Sequence, residues 1–149
     1  MSATVESIRR RAAGCCEYCR LPQSAFARPF HIEHIVARQH GGSSLPDNLA
    51  LACWDRDRKK GPNLSGIDPQ TGLLVPLFNP RKDTWIMHFS GSAELGTPRA
   101  VSISGLTAVG RATVQVLAMN DTFRRTVRYE LWREGLYSLS PVRDTPDIS

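Results

Sequence analysis

Apolar and polar positions alternate most cleanly over 29–36, Pro-Phe-His-Ile-Glu-His-Ile-Val, a run rich in β-branched and aromatic residues that predicts a short strand. A period of two puts His31 and Glu33 on one face and Ile32 and His34 on the other. The adjacent Glu33 and His34 therefore diverge unless the strand end twists or bulges. Residues 38–44 are polar, contain Gly41-Gly42, and predict a loop. The continuous run Leu49-Ala50-Leu51-Ala52 predicts a return strand. Asp55 to Lys60, Asp-Arg-Asp-Arg-Lys-Lys, is too charged for a buried strand and predicts a solvated helix that Gly61-Pro62 stops.

The flanks are less regular. Thr4 to Ala13 predicts a basic helix with Arg9, Arg10 and Arg11 near its C-terminus, where cations suit the helix dipole. Residues 21–29 form a proline-bounded loop, with Phe26 and Phe30 expected beneath the strands. Beyond Gly61, 63–72 is turn-rich, 73–78 predicts a short strand, 79–83 a turn, and 84–89 a strand or a helical turn. Residues 90–100 are small and polar and predict a loop, followed by a strand over 101–104. Thr107 is the expected N-cap of a helix running to about Met119. Thr122 to Gly135 predicts the last helix, with Phe123, Val127 and Leu131 at i, i+4, i+8 and Trp132 widening the stripe. Residues 138–149 lack periodicity and are expected to be a disordered tail. The fold class expected is α+β.

Composition narrows the function. A chain of 149 residues, 41% hydrophobic and 22% charged, suits one ordinary globular domain. A formal charge of +5 suits a polyanionic partner. The chain has no apolar run long enough to cross a bilayer, and Met1 to Arg11 is polar and basic, so a cytoplasmic protein with no membrane association is expected. Of the four cysteines, Cys15, Cys16 and Cys19 crowd into five positions. That is a poor disulfide framework and a usual metal-site spacing. Cys53, taken alone, also reads as a small buried hydrophobe.

From Cys16 to Gly61 the chain resembles the HNH endonucleases. The resemblance rests on Glu33-His34, on Asn48 in Asp-Asn-Leu-Ala-Leu-Ala-Cys, on the segment from Cys53 to Gly61, and on Cys16-Glu17-Tyr18-Cys19, which looks like half of a zinc knuckle. More loosely, 66–89 and 105–120 resemble the longer members of one bacterial HNH subfamily. The resemblance implies a ββα-metal core with an N-terminal helix and a C-terminal extension of strands and helices. Its expected boundaries are 1–89 for the nuclease domain with its knuckle, 90–137 for the extension and 138–149 for the tail. The chain departs from the family twice. Arg56 stands where the fourth zinc cysteine belongs, and Asp57 stands at the last position of the HNH name. The first change leaves Cys16, Cys19 and Cys53 as an incomplete zinc set that Arg56→Cys is expected to complete. The second is mild, because a carboxylate is a good ligand for a hard cation.

The resemblance also implies roles. His34 is the expected general base, since an imidazole titrates near neutral pH. Asn48 is expected to shape the loop that carries it, and could equally cap a turn. Glu33 and Asp57 are expected to hold one divalent cation, Mg²⁺ or Mn²⁺. The plainer readings are a surface charge for Glu33 and a helix pair with Lys60 for Asp57. Arg38, Arg56, Arg58, Lys59 and Lys60 are the expected phosphate contacts for a DNA partner, or else a solvated helix face. His31 is ambiguous between a supporting and a DNA-facing role; His40 reads as a loop residue, and His88 lies far off in sequence. The expected function is a metal-dependent DNA endonuclease. The alternative is a DNA-binding module whose altered motif no longer cuts.

Overall fold

The computed structural model of the protein describes residues 5–97 and 99–139. Thr4, at the start of the predicted first helix, and 140–149 of the predicted tail lie outside the described residues. Helix α1 (Val5–Arg11) buries Ile8 and carries its cations in the last turn. Arg11 donates to the carbonyls of Pro46 (2.9 Å) and Leu49 (2.5 Å). Arg11 thus braces the neighbouring hairpin.

That hairpin is β1 (His31–His34) paired antiparallel with β2 (Leu49–Ala52), with His31 opposite Ala52 and Glu33 opposite Ala50. All four β2 residues are buried, as a continuous apolar run requires. The connecting loop holds two single 3₁₀ turns, Arg38–His40 and Pro46–Asn48. Helix α2 (Trp54–Lys60) follows β2 directly, with Cys53 at its N-cap. The order strand, loop, strand, helix is the one the periodicity predicts. The solvated helix is not: Arg56 and Lys60 are only 1% and 2% exposed.

Two further antiparallel hairpins follow, β3 (Ser65–Ile67) with β4 (Leu74–Pro76), and β5 (Phe89–Glu94) with β6 (Ala100–Gly105). A single helical turn, α3 (Trp85–His88), leads into β5. Helix α4 (Ala108–Val116) begins at Thr107, whose hydroxyl accepts from the Gly110 amide at 3.0 Å, the N-cap the sequence predicts. Helix α5 (Thr122–Arg133) is capped by Asp121, which accepts from the Arg124 amide at 2.9 Å. Asp68, buried in the β3–β4 turn, accepts two bonds from the Arg111 guanidinium of α4, at 2.8 and 2.9 Å.

Three expectations are corrected here. Residues 90–94, read as loop, form β5; their small polar side chains have little strand propensity, and pairing with β6 overrides it. The inner face of α5 is not led by Phe123, which is 52% exposed; Arg124, Arg128 and Tyr129 are the buried residues. Val127, Leu131 and Trp132 pack at the margin of the core. Ser138 and Leu139 do not begin a free tail: the Leu139 carbonyl accepts from the Gly91 amide at 2.7 Å, and its side chain packs on the core.

The buried apolar residues of α1, the cysteine knuckle, the first hairpin and the C-terminal elements form one cluster. Long-range hydrogen bonds cross it: the Trp85 indole donates to the Tyr18 carbonyl (2.8 Å), and the Tyr137 hydroxyl to the Cys19 carbonyl (3.2 Å). Glu17 forms an ion pair with Arg81.

Candidate metal and nucleic-acid site

Asn48 builds the loop that presents His34. Its side-chain oxygen accepts from the Val36 amide (2.9 Å), while its Nδ2 donates to the carbonyls of Val36 (3.0 Å) and Ser43 (2.7 Å). One amide group therefore ties the two ends of the loop together. Gly42 lets the loop close this tightly, because a Cβ there would lie 1.7 Å from the Val36 carbonyl oxygen. His34, half-buried at the end of β1, sets its Nε2 3.0 Å from the Ser44 hydroxyl and 3.3 Å from Arg38 Nε. An arginine can only donate, so in that contact Nε2 is the acceptor.

Glu33 points the other way, into the protein. It is 4% exposed and accepts a 2.6 Å hydrogen bond from the Tyr18 hydroxyl, with Lys60 Nζ 3.4 Å from the same oxygen. Lys60 also donates to the Ile35 carbonyl at 2.8 Å. The second carboxylate oxygen, Oε2, is buried without a hydrogen-bond partner. Burial pushes the Glu33 carboxyl up to about 7; Lys60 and Tyr18 oppose the rise, and the negative charge of Asp57 adds to it. The orphaned Oε2 leaves one buried carboxylate oxygen at Glu33 free to meet a cation, while Asp57 acts on Glu33 through its charge. Asp57 is reached from β1 by a residue whose role was open: His31 Nδ1 lies 3.1 Å from its Oδ2.

The expected phosphate contacts divide. Arg38, Arg58 and Lys59 are exposed. Arg56 and Lys60 are buried and cannot reach a phosphate, which corrects their assignment. Lys60 is committed to Glu33 and Ile35. Arg56 donates to the Ala118 carbonyl and lies 3.2 Å from Asp121, so it pins α2 to the turn between α4 and α5. Tyr18 and Ser44 were not foreseen as site neighbours, and only the position of Tyr18 between the knuckle cysteines offered a signal; His31, left open between a supporting and a DNA-facing role, contacts Asp57. His88 is structural, bonded to the Thr107 hydroxyl at 2.6 Å.

Cys16, Cys19 and Cys53 are buried together with their sulfurs within 4.8 Å of one another, and this group could hold a metal. Cys15 stands outside it, turned toward the Ala13 carbonyl. Burial opposes ionisation of Cys19, but hydrogen bonds from Cys16 and Cys53 and the charge of Arg128 outweigh it and draw the thiol well below its usual range. A tetrahedral structural zinc site takes four Cys or His ligands, and the group among the described residues supplies three. Arg124 Nη2 instead lies 3.2 Å from Cys53 Sγ, held by Asp55 and Asp121, each 3.0 Å from its Nη1. The zinc set is incomplete and a guanidinium crowds it.

The family model for HNH endonuclease matches residues 16–62. This stretch is similar to HNH endonucleases. It spans the knuckle, the first hairpin and α2, the same elements that converge on Glu33. HNH domains bind nucleic acid, and HNH nucleases use divalent metals. No curated protein and no solved structure matches the chain. Among the described residues no helix is long and apolar enough to cross a membrane.

Two outcomes follow from these environments. A carboxyl with a folded pKa of about 7 against an ordinary value of 4.5 keeps its proton in the folded state where the unfolded chain has lost it. In chelator, thermal stability should therefore fall as pH rises from about 4.5 through 7, and Glu33→Gln should remove that slope; a flat parental profile would contradict the environment described. At the knuckle, elemental analysis should find substoichiometric zinc. Arg56→Cys should bind one zinc per chain, yet in chelator it should be less stable than the parent by on the order of 3 kcal/mol, because the buried link to Asp121 and Ala118 is gone.

Proposed function

We propose that the protein is a metal-dependent endonuclease that hydrolyses DNA phosphodiester bonds. The observation that carries this reading is the orphaned, buried Glu33 Oε2 within a segment that matches the HNH family. In this reading Glu33 and Asp57 hold one Mg²⁺ or Mn²⁺. What a bound divalent cation supplies there is positive charge for the scissile phosphate and the leaving 3′ oxygen. His34 accepts the proton of the attacking water. Arg38, in contact with His34, orients the imidazole and stands beside the phosphate path. Asn48 holds the loop, and so the base, in place. Arg58 and Lys59 add backbone contacts that carry affinity without sequence information.

One observation favours the non-cutting alternative. Lys60 Nζ lies 3.4 Å from Glu33 and already compensates part of the charge that a cation would meet. Plasmid nicking separates the two readings. The parental protein should nick in Mg²⁺ or Mn²⁺. His34→Ala should lose ~10²- to 10⁴-fold in rate, the usual cost of a missing general base, while keeping its fold and DNA affinity. Asp57→Ala should demand more metal, and Asp57→Asn should retain appreciable activity. Binding in EDTA with no nicking in either metal would establish the module; His34→Ala nicking at the parental rate would remove His34 from the mechanism.

A further inference from the structure

A cavity of about 250 Å³ opens between Phe26, Phe30 and Trp54. Its volume falls just below the range of about 300–1,000 Å³ typical of drug-sized ligands, so it suits one planar ring system. The walls are aromatic: Phe26 and Phe30 meet edge to face at 5.3 Å, and Phe26 continues outward to Phe123, which is exposed. Two guanidinium groups lie over the Trp54 indole, Arg28, which lines the cavity, at 4.4 Å and Arg58 at 4.8 Å. Asp55 lines the cavity as well, paired with Arg124.

Two of the cavity's residues, Phe30 and Trp54, adjoin the candidate site along the chain. Trp54, Asp57 and Arg58 stand at i, i+3 and i+4 of α2 and so share one helix face. Phe30 immediately precedes His31, which touches Asp57. An aromatic cavity with Arg28 at its edge and Arg58 over the same indole matches a nucleotide, base inside and flanking phosphates against the guanidinium groups. A duplex offers no free base, whereas an unpaired position does at little cost. Resting on the reading of the protein as a DNA nuclease, we propose that the Phe26–Phe30–Trp54 cavity receives one unpaired base of the substrate strand. The protein then prefers DNA with a bulged or single-stranded nucleotide next to the scissile bond.

The test uses the full chain in EDTA and two duplexes of one sequence, one fully paired and one with a single bulged 2-aminopurine. The unaltered protein should bind the bulged duplex more tightly and quench its fluorescence by aromatic stacking. Trp54→Ala should restore the fluorescence and lower the preference by roughly tenfold, the order of one lost stacked base. Arg28→Gln, which leaves the indole in place, should weaken the bulged duplex more than the paired one, and it covers the case in which Trp54→Ala does not fold. No quenching by the unaltered protein, or an unchanged preference in a folded variant, would overturn the proposal. Nicking in Mn²⁺ separates this failure from that of the nuclease reading. Quenching without nicking keeps the cavity and loses the nuclease; nicking without quenching does the reverse.

Discussion

The contact of Glu33 with Tyr18 and Lys60 ties together three parts of the chain that have little reason to meet otherwise. Tyr18 belongs to the cysteine knuckle, Glu33 to β1, and Lys60 to the end of α2. A carboxylate taken out of water needs compensation, and the fold offers one hydroxyl and one ammonium for only one of its two oxygens. The group is therefore held in place yet under-satisfied. The same placement that staples knuckle, hairpin and helix leaves a site where a cation would relieve a standing cost.

The C-terminal extension supports this arrangement with charges used as core. Arg56 reaches from α2 to Ala118 and Asp121, and Arg124 reaches back from α5 to Asp55, Asp121 and Cys53. Arg128 donates to the Met119 carbonyl at 2.6 Å. Where the family pattern closes the knuckle with a fourth cysteine, this chain binds the same corner with guanidinium groups carried on, or directed to, a later part of the sequence. Removing one member of such a network leaves its partners buried and unpaired, which costs more than the net value of any one contact.

The hairpin, its loop and α2 were legible because local signals agree: alternation over 29–36, Gly41-Gly42, the apolar run 49–52 and the Gly61 stop. The Thr107 cap was legible for the same reason. Buried arginines and Lys60 were not, since reading polarity from the chain sends charged residues outward, and the acceptor of Arg56 lies 65 positions away. Strand β5 escaped because its pairing with β6 supplies what its small residues lack. Within the site, the alternation of β1 correctly separates Glu33 from His34. It could not show that His31, on the face it shares with Glu33, would reach Asp57 while Glu33 turned to Tyr18 and Lys60.

In the proposed function Glu33 holds a proton that an arriving divalent cation displaces. The most direct measurement is Mn²⁺ titration calorimetry in pairs of buffers with different ionisation enthalpies, at pH 6 and pH 8. With Glu33 titrating at about 7, binding of one Mn²⁺ should release close to one proton at pH 6 and far less at pH 8. Binding with no proton release at pH 6, or no binding of Mn²⁺ at either pH, would contradict the account.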